Sequence, residues 1–292
     1  MLETWQHECI HTNGINLHYV TQGEGELMLF LHGFPEFWYS WRHQIPEFAK
    51  DHKVVAIDLR GYNDSDKPAG VQAYTMSQFV ADVRGVIEGL GYRECVLVGH
   101  DWGGAIAWNF AYDHPEMVKQ LVVLNIPHPA RFAQALRTPQ QLLKSWYIFL
   151  FQLPALPEFL IQLNDFKALE SALSGMAIRK NTFTQEDIDL YKDAFAKRGA
   201  LTSAINYYRN PLQSGIINFL IGEQSSDRNW GILTVPTLMI WGEKDVALGK
   251  ELTYGTENYV KNFQIRYIPD CSHWVHQEQP ELVNQFIREF LT

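Results

Sequence analysis

Apolar residues recur along this chain in two rhythms. Short unbroken runs stand at Ile15 to Val20, Leu27-Met-Leu-Phe-Leu-His32, Val54-Val-Ala-Ile-Asp58, Cys95-Val-Leu-Val98 and Val118 to Asn125. Two more stand near the C-terminus, at Val235 to Trp241 and Gln264 to Ile268. Runs this short and continuous predict strands covered on both faces, as in the middle of a parallel sheet. Between them the period lengthens. Thr75-Met-Ser-Gln78 reads as a capping box, and Phe79, Val83, Val86 and Leu90 follow it at helical spacing. Gly103 to Tyr112 predicts a helix directly after the Cys95 run. Pro280 opens a last helix, with Val283, Phe286, Ile287 and Phe290 on its apolar face. The alternation predicts the α/β class, with a mostly parallel central sheet and helices on both faces.

Between residues 128 and 228 the strand signals vanish. Thr184 to Asp187 is a second capping box, opening a helix through Phe195. Proline and aromatics crowd residues 146 to 159. This predicts a helical insertion: residues 1–127 and 229–292 form the α/β core, and 128–228 a helical cap. Such a block sits as a lid over the carboxyl ends of the strands, where open α/β sheets bind ligands.

Composition narrows the class. A chain of 292 residues with 46% hydrophobic and 20% charged residues has ample core and little room for disorder. The net charge of −9 argues against nucleic-acid partners, which need a basic face, and disfavours an anionic membrane surface. Cys9, Cys95 and Cys271 show no CxxC spacing, so neither a disulfide framework nor a cysteine zinc site is expected. The N-terminus lacks the basic region and apolar run of a signal peptide. The most apolar stretch, Ser145 to Leu163, is interrupted by Pro154, Pro157 and Glu158 and is not a membrane span; it suits the lining of a greasy pocket. A cytoplasmic protein without a membrane anchor is expected, and oligomeric state is not legible.

The sharpest chemical signal is Gly99-His100-Asp101-Trp102-Gly103-Gly104, between a strand and a helix. Its frame is G-x-D-x-G, a nucleophile elbow with Asp in place of Ser. The bland alternative is an aspartate helix cap. A carboxylate at pH 7 is already a nucleophile; it can attack a saturated carbon and leave an ester on the enzyme. A base is then needed to activate the water that hydrolyses the ester. His32-Gly-Phe-Pro35 follows another strand, and the backbone N–H groups of Phe34 and Trp102 would form an oxyanion hole. The His32 ring itself reads as a core histidine. His273, in Cys271-Ser-His-Trp274, is the candidate base, with His276 a bystander at a helix entrance. Asp245, in Trp241-Gly-Glu-Lys-Asp245, is the candidate orienting acid, with Glu243 its rival. The order Asp101, Asp245, His273 is that of α/β-hydrolases.

The chain closely resembles the epoxide hydrolases of the α/β-hydrolase fold, from about Cys9 to the C-terminus. The resemblance rests on His32-Gly-Phe-Pro-Glu-Phe-Trp-Tyr-Ser-Trp-Arg42, Asp58-Leu-Arg-Gly-Tyr-Asn-Asp-Ser65, Gly99-His-Asp-Trp-Gly-Gly104 and Ser272-His-Trp274. It implies two lid tyrosines that grip an epoxide oxygen. One is Tyr147, four residues before Phe151-Gln-Leu-Pro154; the other is Tyr208, in Asn206-Tyr-Tyr-Arg-Asn210, with Tyr207 the neighbouring alternative. Phenols of pKa about 10 stay protonated at neutral pH and can donate where an alkoxide develops. Asn63 stands where the family has glycine, and asparagine tolerates the turn. The resemblance implies the hydrolase module alone.

Dehalogenases are the nearest rival. Haloalkane dehalogenases share the aspartate elbow but commonly carry Asn or Glu after HG, where this chain has Phe34; haloacid relatives place Arg where this chain has Trp102. A ligand receptor of the same fold would have a damaged triad, and a serine esterase would have serine at the elbow. The resemblance therefore implies an epoxide hydrolase: a small apolar epoxide and water as substrates, Asp101, Asp245, His273, Tyr147 and Tyr208 at the chemistry, and Trp38, Phe34 and Phe151 lining the pocket. No metal or cofactor is expected.

Overall fold

The computed structural model describes residues 5–136, 138–211 and 230–292. The first four residues and the expected end of the insertion at residue 228 lie outside the described residues. Among those described, eight strands form one sheet: β1 (Gln6–Thr12), β2 (Ile15–Gln22), β3 (Glu26–Leu31), β4 (His52–Ile57), β5 (Cys95–His100), β6 (Val118–Leu124), β7 (Thr237–Gly242) and β8 (Phe263–Ile268). Their order is β1-β2-β4-β3-β5-β6-β7-β8. β1 pairs with β2, and β2 with β4, antiparallel; every other neighbouring pair is parallel. Each apolar run picked out above lies in a strand. Met28 to Leu31 and Val54 to Ile57 are fully buried, as a two-sided cover demands.

β1 is the strand that the hydrophobic pattern does not announce. It lies at the sheet edge with most side chains exposed, so no burial rhythm marks it. Its signal is the turn. Asn13 and Gly14 both take positive φ (48° and 75°) between β1 and β2. Asn-Gly is the pair favoured in a two-residue hairpin turn. Asn13 also donates to the Gln78 side chain at 2.9 Å and to Asp82 at 2.9 Å. The expected box at Thr75 is accordingly half made: Thr75 accepts from the Gln78 N–H, while the Gln78 side chain holds Asn13.

Helices α1 (Ile45–Phe48), α2 (Met76–Gly89) and α3 (Asp101–Asp113) lie between strands of the first half. The insertion follows β6 as α4 (Pro129–Ala135), α5 (Pro139–Lys144), α6 (Trp146–Leu150), α7 (Leu156–Met176), α8 (Gln185–Ala196) and α9 (Ala200–Pro211). No strand interrupts it among the described residues. Asn164, Asp165 and Phe166 take positive φ and break α7. α8 starts with a complete capping box between Thr184 and Asp187. The chain closes with α10 (Val275–Glu278) and α11 (Pro280–Leu291). Arg288 of α11 reaches Glu47 and Asp51 beside α1.

The Ser145 to Leu163 stretch departs from expectation. Trp146 is 62% exposed and Phe159 59%, and Phe149, Leu153, Leu156 and Leu163 are also exposed. Only one side of the short α6 turns inward, so this stretch is mostly outer surface rather than pocket lining.

The α11 face that anchors the C-terminus is quantitatively testable. Ile287 is fully buried beside Val283. Ile287→Ala should destabilise the fold by about 2–5 kcal/mol, read as a lower midpoint in urea unfolding. A shift within error would mean that α11 does not close the core.

Candidate active site

The candidate residues gather at one end of the sheet because each follows a parallel strand. His32 to Phe34 follow β3, Asp101 follows β5, Asp245 follows β7 and His273 follows β8. β3 has β4 on one side and β5 on the other. The chain therefore leaves these central strands in opposite directions, and a crevice opens at their carboxyl ends.

Asp101 has φ of 48°, a left-handed backbone that few non-glycine residues adopt. The glycines around it are required by close approach. A Cβ on Gly103 would meet the Leu31 carbonyl oxygen at 2.1 Å, and one on Gly33 would meet the Asp101 Cβ at 2.4 Å. Strand β3, its loop and the elbow thus pack backbone against backbone. This contact delivers the Phe34 N–H to Asp101 Oδ1 at 2.9 Å. Trp102 N–H belongs to the first turn of α3, whose amides have no intrahelical acceptor. Together these amides can hold an oxyanion on the Asp101 carboxyl carbon. The His32 ring is structural: Nε2 accepts from Leu59 N–H at 3.0 Å, and Nδ1 then donates to the Gly33 carbonyl at 2.8 Å. Burial pushes its pKa down, so it stays neutral.

His273 Nδ1 lies 2.6 Å from Asp245 Oδ2, and its Nε2 lies 3.6 Å from Asp101 Oδ2. One imidazole is therefore flanked by two carboxylates. Burial opposes its charging, but the attraction of Asp245 and Asp101 prevails and holds its pKa well above the ordinary histidine value. Asp245 is buried too. Burial opposes its ionisation, yet His273, the Leu248 N–H and the Asn125 amide keep its pKa low. Glu243 instead pairs with Lys250. His276 is fully buried 3.3 Å from Glu36 and against the Trp41 ring, and burial pulls its pKa to about 4.

A cavity of about 640 Å³ opens onto Asp101. Trp102, Tyr147, Ile148, Tyr207 and Tyr208 line it, with Phe132 and Leu136 from and beside α4. The Tyr147 and Tyr208 ring centroids are 5.8 Å apart. Burial, then the facing Asp101 carboxylate, raises both phenol pKa values, so both remain donors at neutral pH. Tyr207 differs: its hydroxyl donates to the Arg60 carbonyl at 2.7 Å and its ring stacks on Phe79. Arg209 explains why the two tyrosine segments meet. It donates to the Phe151 and Leu153 carbonyls at 2.8 and 2.9 Å and forms a two-pronged ion pair with Glu158. Gln152 Nε2 donates in return to the Tyr208 carbonyl at 3.1 Å.

Three expected pocket residues, Trp38, Phe34 and Phe151, are not among the residues that line this cavity. Trp38 is not in the cavity wall; its ring packs edge-on against Trp5, His7 and Phe37, and its N–H donates to Asp58. The left-handed Asn63 turn holds the same carboxylate, Asn63 Nδ2 donating to Asp58 at 2.8 Å. Phe34 and Phe151 instead set their rings edge-on to Tyr208 at 5.4 and 5.1 Å.

The structure also brings in residues that pattern reading did not single out. Glu36 accepts from Gly33 N–H and the Gln277 amide and pairs with His100, whose other nitrogen faces the His273 carbonyl. Glu278 accepts from Ser272 N–H and from the Ile178 and Arg179 N–H groups, tying the base loop to the insertion. Asn125, directly after β6, donates to Asp245. Among the described residues, Glu36–His100–His276 and His18–Asp58–Asp64 each place three metal-capable atoms within 4.8 Å of one another. In both groups the carboxylate is already engaged by hydrogen bonds within the protein. No helix among the described residues is long and apolar enough to cross a membrane.

Comparison with known proteins gives the family. Residues 26–280 match the α/β hydrolase fold family. Epoxide hydrolase 4 of Mus musculus is 43% identical over 97% of this chain and 78% of its own length. Epoxide hydrolase 1 of Caenorhabditis elegans is 43% identical over 100% of this chain and 71% of its own. A mutant epoxide hydrolase from Bacillus megaterium, solved with its product (R)-3-[1]naphthyloxy-propane-1,2-diol, superposes with a TM-score of 0.90 at 39% identity, covering 97% of this chain and 99% of that one. With an aspartate at its elbow and relatives of this kind along its length, the chain belongs to the epoxide hydrolases of the α/β-hydrolase fold family.

Proposed function

We propose that this chain hydrolyses an epoxide to a vicinal diol through an ester on Asp101, with the inserted helices acting as a cap. The observation that carries the reading is the placing of one carboxylate between two phenols on one side and a carboxylate-paired imidazole on the other. Phe34 N–H engages Asp101 Oδ1, so Oδ2 is the attacking atom. Its lone pair displaces the ring oxygen from one epoxide carbon. Tyr147 and Tyr208 donate to that oxygen as it becomes an alkoxide, and a phenolic proton completes the new hydroxyl. The product is a hydroxyalkyl ester whose carbonyl oxygen is Oδ1.

Ester formation also prepares the second step. It removes the Asp101 charge that had favoured imidazolium, so the His273 pKa falls just when a neutral base is needed. His273 Nε2 then takes a proton from water, and the hydroxide adds to the ester carbonyl. The Phe34 and Trp102 amides hold the oxyanion, the diol leaves, and Asp101 returns as carboxylate. The proton that His273 gives up when the ester forms passes through water to the phenolate, and the proton it takes from water restores the imidazolium of the starting state.

The apolar wall of aromatics fits a neutral, bulky epoxide. The naphthyl product held by the Bacillus megaterium relative makes an aryl epoxide the probe of choice. Dehalogenation is the weaker reading, because the position after His32-Gly33 is Phe34, which has no side-chain donor and packs edge-on against Phe151, Phe195 and Tyr208.

Purified protein given styrene oxide should release diol and, given a haloalkane, should release no halide; Asp101→Asn should release neither. Halide without diol would overturn the reading. His273→Gln should form the ester but hydrolyse it about 10²–10⁴-fold more slowly, so the intact protein gains the substrate mass. Normal turnover in that variant would remove His273 from its role. Tyr147→Phe and Tyr208→Phe should each slow ring opening by about 10²–10³-fold if each donor acts like an oxyanion-hole donor, measured in the alkylation phase. Ester hydrolysis should speed up as pH rises, up to about tenfold per unit below the His273 pKa of the ester state, and then level off. A rate that falls as pH rises in single-turnover experiments would contradict base catalysis.

A further inference from the structure

We propose that Asn125 is a positioning residue for the hydrolytic half of the reaction, acting on His273 through Asp245; this rests on the reaction proposed above. Asn125 follows β6 in a left-handed conformation, φ 42°, and is fully buried. Its Oδ1 accepts from Gly242 N–H at 2.9 Å, and its Nδ2 donates to Asp245 Oδ2 at 2.7 Å. The Gly242 amide can only donate, so the orientation of the Asn125 side chain is settled by its partners. The same Asp245 oxygen receives His273 Nδ1 at 2.6 Å. The other oxygen accepts from Ala247 and Leu248 N–H at 2.8 and 2.9 Å.

Four donors therefore surround the carboxylate, which uses its whole acceptor capacity. Three come from the protein frame and one from the base. Rotation of the Asp245 carboxylate would break at least two of them, so the imidazole is aimed by a group that cannot turn. The Asn125 donor also draws charge from the oxygen facing His273. That keeps the proton on imidazolium instead of letting it pass to Asp245. Few other side chains meet the conditions. Aspartate at 125 would bring a second negative charge against Asp245, and glycine would keep the backbone shape but offer no donor.

The chemistry assigns the effect to one step. Alkylation uses Asp101 and the tyrosines; ester hydrolysis uses His273. Wild type, Asn125→Gly and Asn125→Asp should be mixed with styrene oxide, quenched at intervals and weighed as intact protein, with steady-state diol release measured alongside. Both variants should form the ester at the wild-type rate and hydrolyse it about 100-fold more slowly, the cost of a misplaced catalytic group. In steady state kcat and KM should fall together, leaving kcat/KM unchanged, a split that general loss of structure does not produce. Hydrolysis at the wild-type rate in Asn125→Asp would overturn the proposal, as would kcat/KM falling with kcat in both variants. Failure of both to fold would make the amide a structural clamp and overturn it too. A wild type that forms no ester would instead remove the reaction, and the proposal with it.

Discussion

The contact between the β3 loop and the Asp101 elbow is the constraint from which the rest of the site follows. At Gly103 a side chain would collide with the β3 backbone, and at Gly33 with the Asp101 side chain. That approach brings the Phe34 amide onto the Asp101 carboxylate and leaves one carboxylate oxygen free to attack. The left-handed geometry of Asp101 is a local strain of the kind found at functional sites, where the surroundings over-determine it. Here the neighbours are the central, paired strands β3 and β5.

Electrostatics is organised around His273. A buried imidazole between two carboxylates is a sensor of the state of Asp101. While Asp101 is free, the imidazolium is favoured; once it is esterified, one of the two supporting charges is gone. The order of the two chemical steps thus has an electrostatic cause that requires no movement. Burial, and after it the same carboxylate, raises the pKa of the Tyr147 and Tyr208 phenols, so they enter the proposed reaction as donors.

The insertion joins this frame through an apolar seam, with Tyr191 against Phe37, Phe195 against Phe34 and Tyr62, and Tyr207 against Phe79, and polar ties set its segments in place. Arg209 fastens the α9 segment to the turn after α6, Glu278 fastens the start of the α7–α8 connection to the base loop, and Asp187 pairs with Arg42 of the core. The ties at Arg209 and Glu278 fix backbone carbonyls or amides near side chains proposed to act in the reaction.

The sequence by itself determined the strands of the central sheet, the elbow, the order of nucleophile, acid and base, and the helical nature of the insertion. These are local properties: continuous apolar runs, glycine spacing and capping residues act within a few residues. It did not mark β1, whose exposed edge position leaves no burial pattern, although Asn13-Gly14 carried its turn. Tertiary structure alone decided what depends on neighbours remote in the chain. The Trp38 ring packs against Trp5, just before the edge strand, and His7 within it. Phe34 and Phe151 meet the Tyr208 ring edge-on, Phe151 from a segment that Arg209 holds to that of Tyr208. The greasy stretch after Ser145 faces mostly outward because a single-turn helix can present only one side inward. Asn125 and Glu36 became visible as partners of the triad only when strands β3, β6, β7 and β8 were placed side by side. A hydrogen bond across 120 positions has no periodicity in sequence, and only the sheet order brings its two ends within reach.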